Sequence, residues 1–216
     1  MSYLSKISKI SLIFYSFIVL LMGQESDRLR IVSAEILENK TIDGESIRQF
    51  RGDVIFKRGD LTLYTNEATQ YFDRLKTELS GSVRMETLTD TLRCDTLIFF
   101  DDQLSFLMAF PEVVFQQENK IVTCDTLYYW PDQDSTIAIG SVVFNAPNKE
   151  VNTEKFTYWE TDGFRGISFI ASGGMIFTEE NKQISANSAI YSDDTQTMIL
   201  QDSCSIIEPN KGLFGN

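Results

Sequence analysis

Leu79-Ser80-Gly81-Ser82-Val83-Arg84-Met85 decides the fold, because the same phrase returns along almost the whole chain. It recurs as FRGDVIF at 50–56, AFPEVVF at 109–115, AIGSVVF at 138–144 and ASGGMIF at 171–177, with a degenerate copy, LQDSCSI, at 200–206. Counted from the third position (Gly52, Gly81, Pro111, Gly140, Gly173, Asp202), the intervals are 29, 30, 29, 33 and 29 residues. A steady period in this range marks a repeat architecture, in which each unit covers the apolar face of the next.

Within each copy apolar positions alternate with polar ones, as in Val83-Arg84-Met85-Glu86, which is the period of a half-buried strand and not of a helix. A second strand follows. Eleven residues past the reference position stand Leu63, Leu92, Val122, Val151 and Ile184, and sixteen past it Ala68, Leu97, Leu127, Phe156 and Ala189. Aromatics follow at Phe99, Tyr129, Tyr158 and Tyr191, with Tyr71 one place off. The segments between the two strands (57–60, 118–120, 147–149 and 179–182) carry Gly, Asn, Asp and Pro, the residues that turns demand. The expectation is an all-β chain of repeated antiparallel strands, forming an open, twisted jelly-roll or solenoid-like pair of sheets. Stacked repeats would set Val54, Val83, Val113, Val142 and Met175 in one inward column, with successive members about 4.8 Å apart, and Phe56, Met85, Phe115, Phe144 and Phe177 in a second, wider one. These columns either fill a core or line a space between two sheets.

The ends and the charge restrict function. Lys6 and Lys9 precede an apolar run from Ile10 to Met22, after which comes the polar stretch 24–28. That run is short of the roughly 20 residues of a spanning helix, so residues 1–23 read as a cleaved export signal, an uncleaved anchor being the alternative. Residues 24–216 read as a single domain. A net charge of −12 and the absence of histidine argue against a nucleic-acid partner, which requires clustered Lys and Arg.

The strand Gly-x-Val/Met-x-Phe/Met, followed by a turn and a strand of the form Leu-x-Cys-Asp-x-Leu-x-Phe/Tyr, resembles the OstA-like repeat of the LptA family. The best second-strand copies are 93–97, RCDTL, and 123–127, TCDTL, and the resemblance covers about residues 30–207. It implies a periplasmic carrier of lipopolysaccharide. The lipid A acyl chains would lie against Val54, Phe56, Val83, Met85, Val113, Phe115, Val142, Phe144, Met175 and Phe177. It also implies open edge strands that pair with LptC-like and LptD-like proteins or with further copies head to tail, a lipid driven from elsewhere, and no cofactor. Arg30 to Ile47 matches the repeat poorly, so the N-terminal edge departs from the pattern. A structural or adhesive solenoid with a filled core, and an LptC-like anchored protein, are the alternative readings.

Other motifs weigh less. The Cys-Asp pairs at 94–95 and 124–125 are one repeat apart and lack the histidines of a zinc site, so no metal is expected. Cys94 and Cys124, taken as adjacent rungs, could form a disulfide in an exported protein. Cys204 falls in the inward valine column and reads as a small buried apolar residue. Asn66, Asp95, Asp125, Glu154 and Asn187 form a column of capping or turn side chains in preference to a catalytic pair. No nucleophile and base combine, so no catalytic residue and no enzymatic activity are expected.

Overall fold

Alternation of apolar and polar side chains forces a strand to bury one face, and here nearly every strand does so against its sequence neighbours. The computed structural model describes residues 28–42, 44–101, 105–133, 135–160, 167–192 and 195–208. The expected export signal lies outside the described residues. The long strands are β3 (Glu45–Arg58), β4 (Leu61–Tyr71), β5 (Lys76–Glu86), β6 (Asp90–Phe100), β11 (Ser135–Ala146), β12 (Lys149–Glu160), β13 (Ile167–Glu179) and β14 (Lys182–Ser192). The shorter ones are β1 (Arg30–Ser33), β2 (Ile36–Ile42), β7 (Phe106–Phe110), β8 (Val113–Gln117), β9 (Lys120–Cys124), β10 (Thr126–Trp130), β15 (Thr197–Gln201) and β16 (Ser205–Ile207). All sixteen belong to one sheet, with antiparallel pairing throughout. The order runs from β1 and β2 at one edge to β15 and β16 at the other, and the two edges do not pair, so the sheet is open.

What folds this sheet into two facing walls is a corner at the reference position of every repeat. Register slips between Arg51 and Val54, Ser80 and Val83, Ile139 and Val142, and Ser172 and Met175, each time placing two residues opposite one. The two are Gly52-Asp53, Gly81-Ser82, Gly140-Ser141 and Gly173-Gly174, all with positive φ, for example 80° and 47° at Gly140 and Ser141. Such a bulge bends the strand and re-aims its side chains. At Pro111-Glu112 the strand separates into β7 and β8, because proline lacks the N–H that pairing needs. The half of each strand on one side of the corner therefore belongs to an upper wall (β2, 45–51, 67–71, 76–80, 96–100, β7, β10 and their successors). The half on the other side belongs to a lower wall (β1, 54–58, 61–65, 83–86, 90–94, β8, β9 and theirs).

The pairing corrects the expected spacing of the columns. Each repeat supplies two strands per wall, so equivalent residues of successive repeats are two strands apart, roughly 10 Å and not 4.8 Å. The Phe56 column is interleaved with the second-strand residues into one unbroken row: Ile31, Phe56, Leu63, Met85, Leu92, Phe115, Val122, Phe144, Val151, Phe177, Ile184, Ile206. The upper wall carries the facing row from Leu37 and Phe50 through Leu79, Leu97, Leu127 and Phe156 to Leu200, with alanines at 68, 109, 138, 171 and 189. Alanines interspersed among large residues on the upper wall leave room for the aromatics of the lower one. Apart from the exposed end residues Leu37 and Ile206, both rows belong to or pack against one apolar core.

Candidate functional site

The ten residues expected to line a trough all point between the walls, and none is more than 6% exposed. The walls touch: Phe50 meets Phe56 edge-on at 5.2 Å, Phe115 meets Tyr129 at 5.0 Å, and Phe144 stacks on Phe156 at 4.9 Å. The residues thus lie together between the walls, and the space between them is occupied by their own side chains. A guest would have to part the walls.

The corner explains two columns of the repeat, one of them read from the sequence as capping or turn side chains. Asn66, Asp95, Glu154 and Asn187 are the single residues that oppose the two-residue bulges, Asp125 stands opposite the Pro111-Glu112 break, and the side chains of all five face solvent. The Asp125 N–H donates to the Gly140 carbonyl and the Asn187 N–H to that of Asp202, both at 3.0 Å. A Cβ on Gly140 would run into the Asp125 carboxylate, and one on Gly173 into Cβ of Glu154, which is why glycine recurs there. One residue before each of these, Thr65, Cys94, Cys124 and Thr153 turn inward. Thr65 Oγ1 donates to the Ser80 carbonyl at 2.7 Å, Thr153 Oγ1 to that of Ser172 at 2.9 Å, and Cys94 Sγ to that of Thr96 at 3.2 Å. Hydroxyls and thiols here satisfy carbonyls close to the bulge. The signal for this was the exchange of Thr for Cys at one repeat position, which the sequence reading did not use.

One open cysteine question is answered and one cysteine expectation is corrected. Cys94 and Cys124 are free and buried. Val113 pairs with Cys124, and the pairing of Val114 with Arg93 sets Cys94 on the other side of Val113. The two thiols therefore sit two strands apart, roughly 10 Å, beyond the reach of a disulfide. Burial pushes both thiols up to about 12. Cys204 is exposed, not buried. It does lie at the column position, beside the Ser185–Ser205 pair, but in the edge segment, where no further strand covers it.

Opposite the corner, the mouth between the walls is closed by polar contacts that no repeat pattern announced. Asp90, on the lower wall and 3% exposed, accepts a 2.6 Å hydrogen bond from the hydroxyl of Tyr129 on the upper wall. Thr89 Oγ1 donates to the same carboxylate at 3.0 Å, and Thr87 Oγ1 accepts from the Asp90 N–H at 2.9 Å. Arg58 reaches across to Asp132 at 3.4 Å and lies over the Phe99 ring. Beside Asp90, buried Gln117 leaves its Oε1 without a hydrogen bond, an acceptor turned toward the interior that a guest hydroxyl could satisfy.

The edges are open and apolar. Val32, Ile36 and Leu37 are exposed at one end, and Ile199, Ile206 and Ile207 at the other. Among the described residues, no group of three or more His, Cys, Asp or Glu is disposed to hold a metal ion.

An open antiparallel sheet bent along a glycine-marked corner, with apolar rows running from edge to edge, defines an open β-jelly-roll with the two-strand repeat read from the sequence. The family model for OstA-like proteins matches residues 76–214, and the chain belongs to that family. Among solved structures, it is similar to LptH from Pseudomonas aeruginosa, described as the LptA homologous periplasmic component of the conserved lipopolysaccharide transport device. The identity is 15%, the match covers 67% of this chain and 96% of that one, and the TM-score is 0.24, so the fold rests on the strand pairing given above and not on this superposition. No curated protein matches the chain.

Proposed function

We propose that this protein is a periplasmic carrier that passes lipopolysaccharide from the inner toward the outer membrane as one segment of a β-jelly-roll bridge, with no catalytic step. One observation carries the reading: the apolar row from Ile31 to Ile206 is unbroken and ends at an unpaired edge on both sides. Acyl chains moving along it, once the walls have parted, cross no polar rung. Each methylene taken from water contributes about 0.8 kcal/mol, which several chains together can set against the cost of separating the walls. Membership of the OstA-like family supports the same reading. In it, residues 1–23 are a removed export signal and 24–216 one domain.

The exposed edges fit partners that add a strand, an LptC-like protein at one end, an LptD-like protein at the other, or a second copy head to tail. Native mass spectrometry of the wild type should detect head-to-tail oligomers, and Ile199→Lys with Ile207→Lys, which touches only exposed side chains, should abolish them. Their persistence would remove that edge from the interface.

The closed interior favours a second reading, a structural solenoid with a filled core. A photoreactive phenylalanine placed at Phe115 or Phe144 separates the two, since it keeps the aromatic volume of the buried site. In a lipopolysaccharide-producing host, both positions should crosslink lipid A, while the outward-facing neighbour Val114 should not. Absence of lipid at Phe115 and Phe144 would leave the filled solenoid. The aspartate variants Phe115→Asp and Phe144→Asp should abolish lipid loading, with circular dichroism to verify that the variants fold, because an unpaired carboxylate in this core is costly.

A further inference from the structure

The chain is acidic, yet one cavity in it is lined by cations. It lies at the N-terminal edge, has a volume of about 340 Å³, and is bordered by Arg28, Arg30, Arg48 and Lys76, with Asp101 the one carboxylate in its lining among the described residues. Its apolar lining comes from Leu29, Ile31, Tyr71, Phe72 and Leu75. The segment that makes it crosses the mouth. Arg30 and Ile31 pair with Lys57 and Phe56 on the lower wall, while the Leu29 N–H reaches Asp101 Oδ2, beyond the end of an upper-wall strand, at 3.3 Å. Ile31 is also the first rung of the apolar row.

The charges are held in different ways. Arg48 lies over the Phe72 ring, 5.0 Å from its centroid, and donates from Nε to Asn39 at 3.0 Å. Lys76 is 4.8 Å from the centre of the Tyr71 ring and pairs with Glu78 at 2.6 Å, so Glu78 offsets part of its charge. Arg28 and Arg30 are exposed, and their guanidinium groups make no ion pair or hydrogen bond among the described residues. Among the described residues, four cations against Asp101 and Glu78 leave a positive excess. Guanidinium forks are the groups best suited to phosphate, and the apolar side chains beside them suit the first methylenes of an attached tail.

We propose that this cavity is a binding seat for the phosphate group of an anionic amphiphile, positioned where the apolar row begins. Arg28 and Arg30 grip the phosphate, Arg48 and Lys76 supply the background field, and the tail leaves along Ile31 between the walls. In the transfer reading above, on which only its place in the path rests, this seat orients the lipid head at the entrance. Such a site weakens with added salt, since its cations are partly exposed.

The test is isothermal titration of the exported protein with decyl phosphate below its micelle concentration, with decyl maltoside and inorganic phosphate in parallel. Arg28→Gln with Arg30→Gln should weaken decyl phosphate about tenfold or more and leave decyl maltoside unchanged, while the exposed Lys155→Gln should change neither. Inorganic phosphate should bind far more weakly than decyl phosphate. Equal affinity of the two phosphates would reduce the site to a free-anion site, and equal loss in Lys155→Gln would reduce it to the general field; each overturns the proposal. If lipid copurifies with the wild type and the double variant still binds decyl phosphate normally, the seat falls and the carrier reading stands. If no lipid copurifies but the tenfold loss is seen, the carrier reading falls and the seat stands.

Discussion

Tyr129→Phe removes one oxygen from the closed mouth. The Tyr129 ring is 2% exposed and packs against Phe115 at 5.0 Å, and phenylalanine keeps that packing. What is lost is the hydroxyl that donates to Asp90 at 2.6 Å across the two walls. A hydrogen bond to a carboxylate contributes about 1.5–3 kcal/mol, and Asp90, 3% exposed, has little water to replace it. For a domain of this size about 1 kcal/mol moves Tm by 2–4 °C, so Tm should fall by roughly 3–12 °C. A double-mutant cycle with Asp90→Asn, read by urea unfolding, isolates the bond from whatever else Tyr129 touches. In the same samples, the rate of lipid uptake should rise, because this bond is one of those that must break before the walls part. A coupling energy under about 0.5 kcal/mol, or an unchanged uptake rate, would refute a mouth latched by this pair.

Cys94→Thr with Cys124→Thr should be close to neutral at pH 7, since threonine already occupies the equivalent corners at 65 and 153 and bonds the same kind of carbonyl; a loss of several kcal/mol in a melt would contradict the corner argument. The same variant tests the pH dependence. The folded thiols sit at about 12 against an ordinary value of 9.0, so above pH 9 the unfolded chain releases protons that the folded one keeps, and stability falls as pH rises from about 9 toward 12. The Thr variant should lack that component of the alkaline loss. A thiol reagent should modify one cysteine, Cys204, in the native protein and all three after unfolding. Gly140→Ala should cost more than Gly59→Ala, because both have positive φ but only the first would drive a methyl group into a neighbour, Asp125; equal melting temperatures would show that the corner has slack.

The repeat phrase and its alternation were enough to specify a strand pair per repeat, the turns between strands, and the inward set of apolar residues, because a strand's two faces are written residue by residue with a period of two. The corner itself came only from the pairing, which showed that the glycines at 52, 81, 140 and 173 sit in bulges with positive φ, a conformation few other residues adopt without cost. Tertiary pairing decided the rest. Whether Val83 and Val113 are adjacent or separated by Cys94 depends on which strand lies between them, and that spacing alone removed the disulfide. The Asp90–Tyr129 and Arg58–Asp132 contacts join residues 39 and 74 positions apart on opposite walls, and the N-terminal cavity joins Arg28 and Arg30 to Lys76. No local pattern encodes those neighbours, because they come together only once the sheet has bent at its corner and brought its two walls face to face.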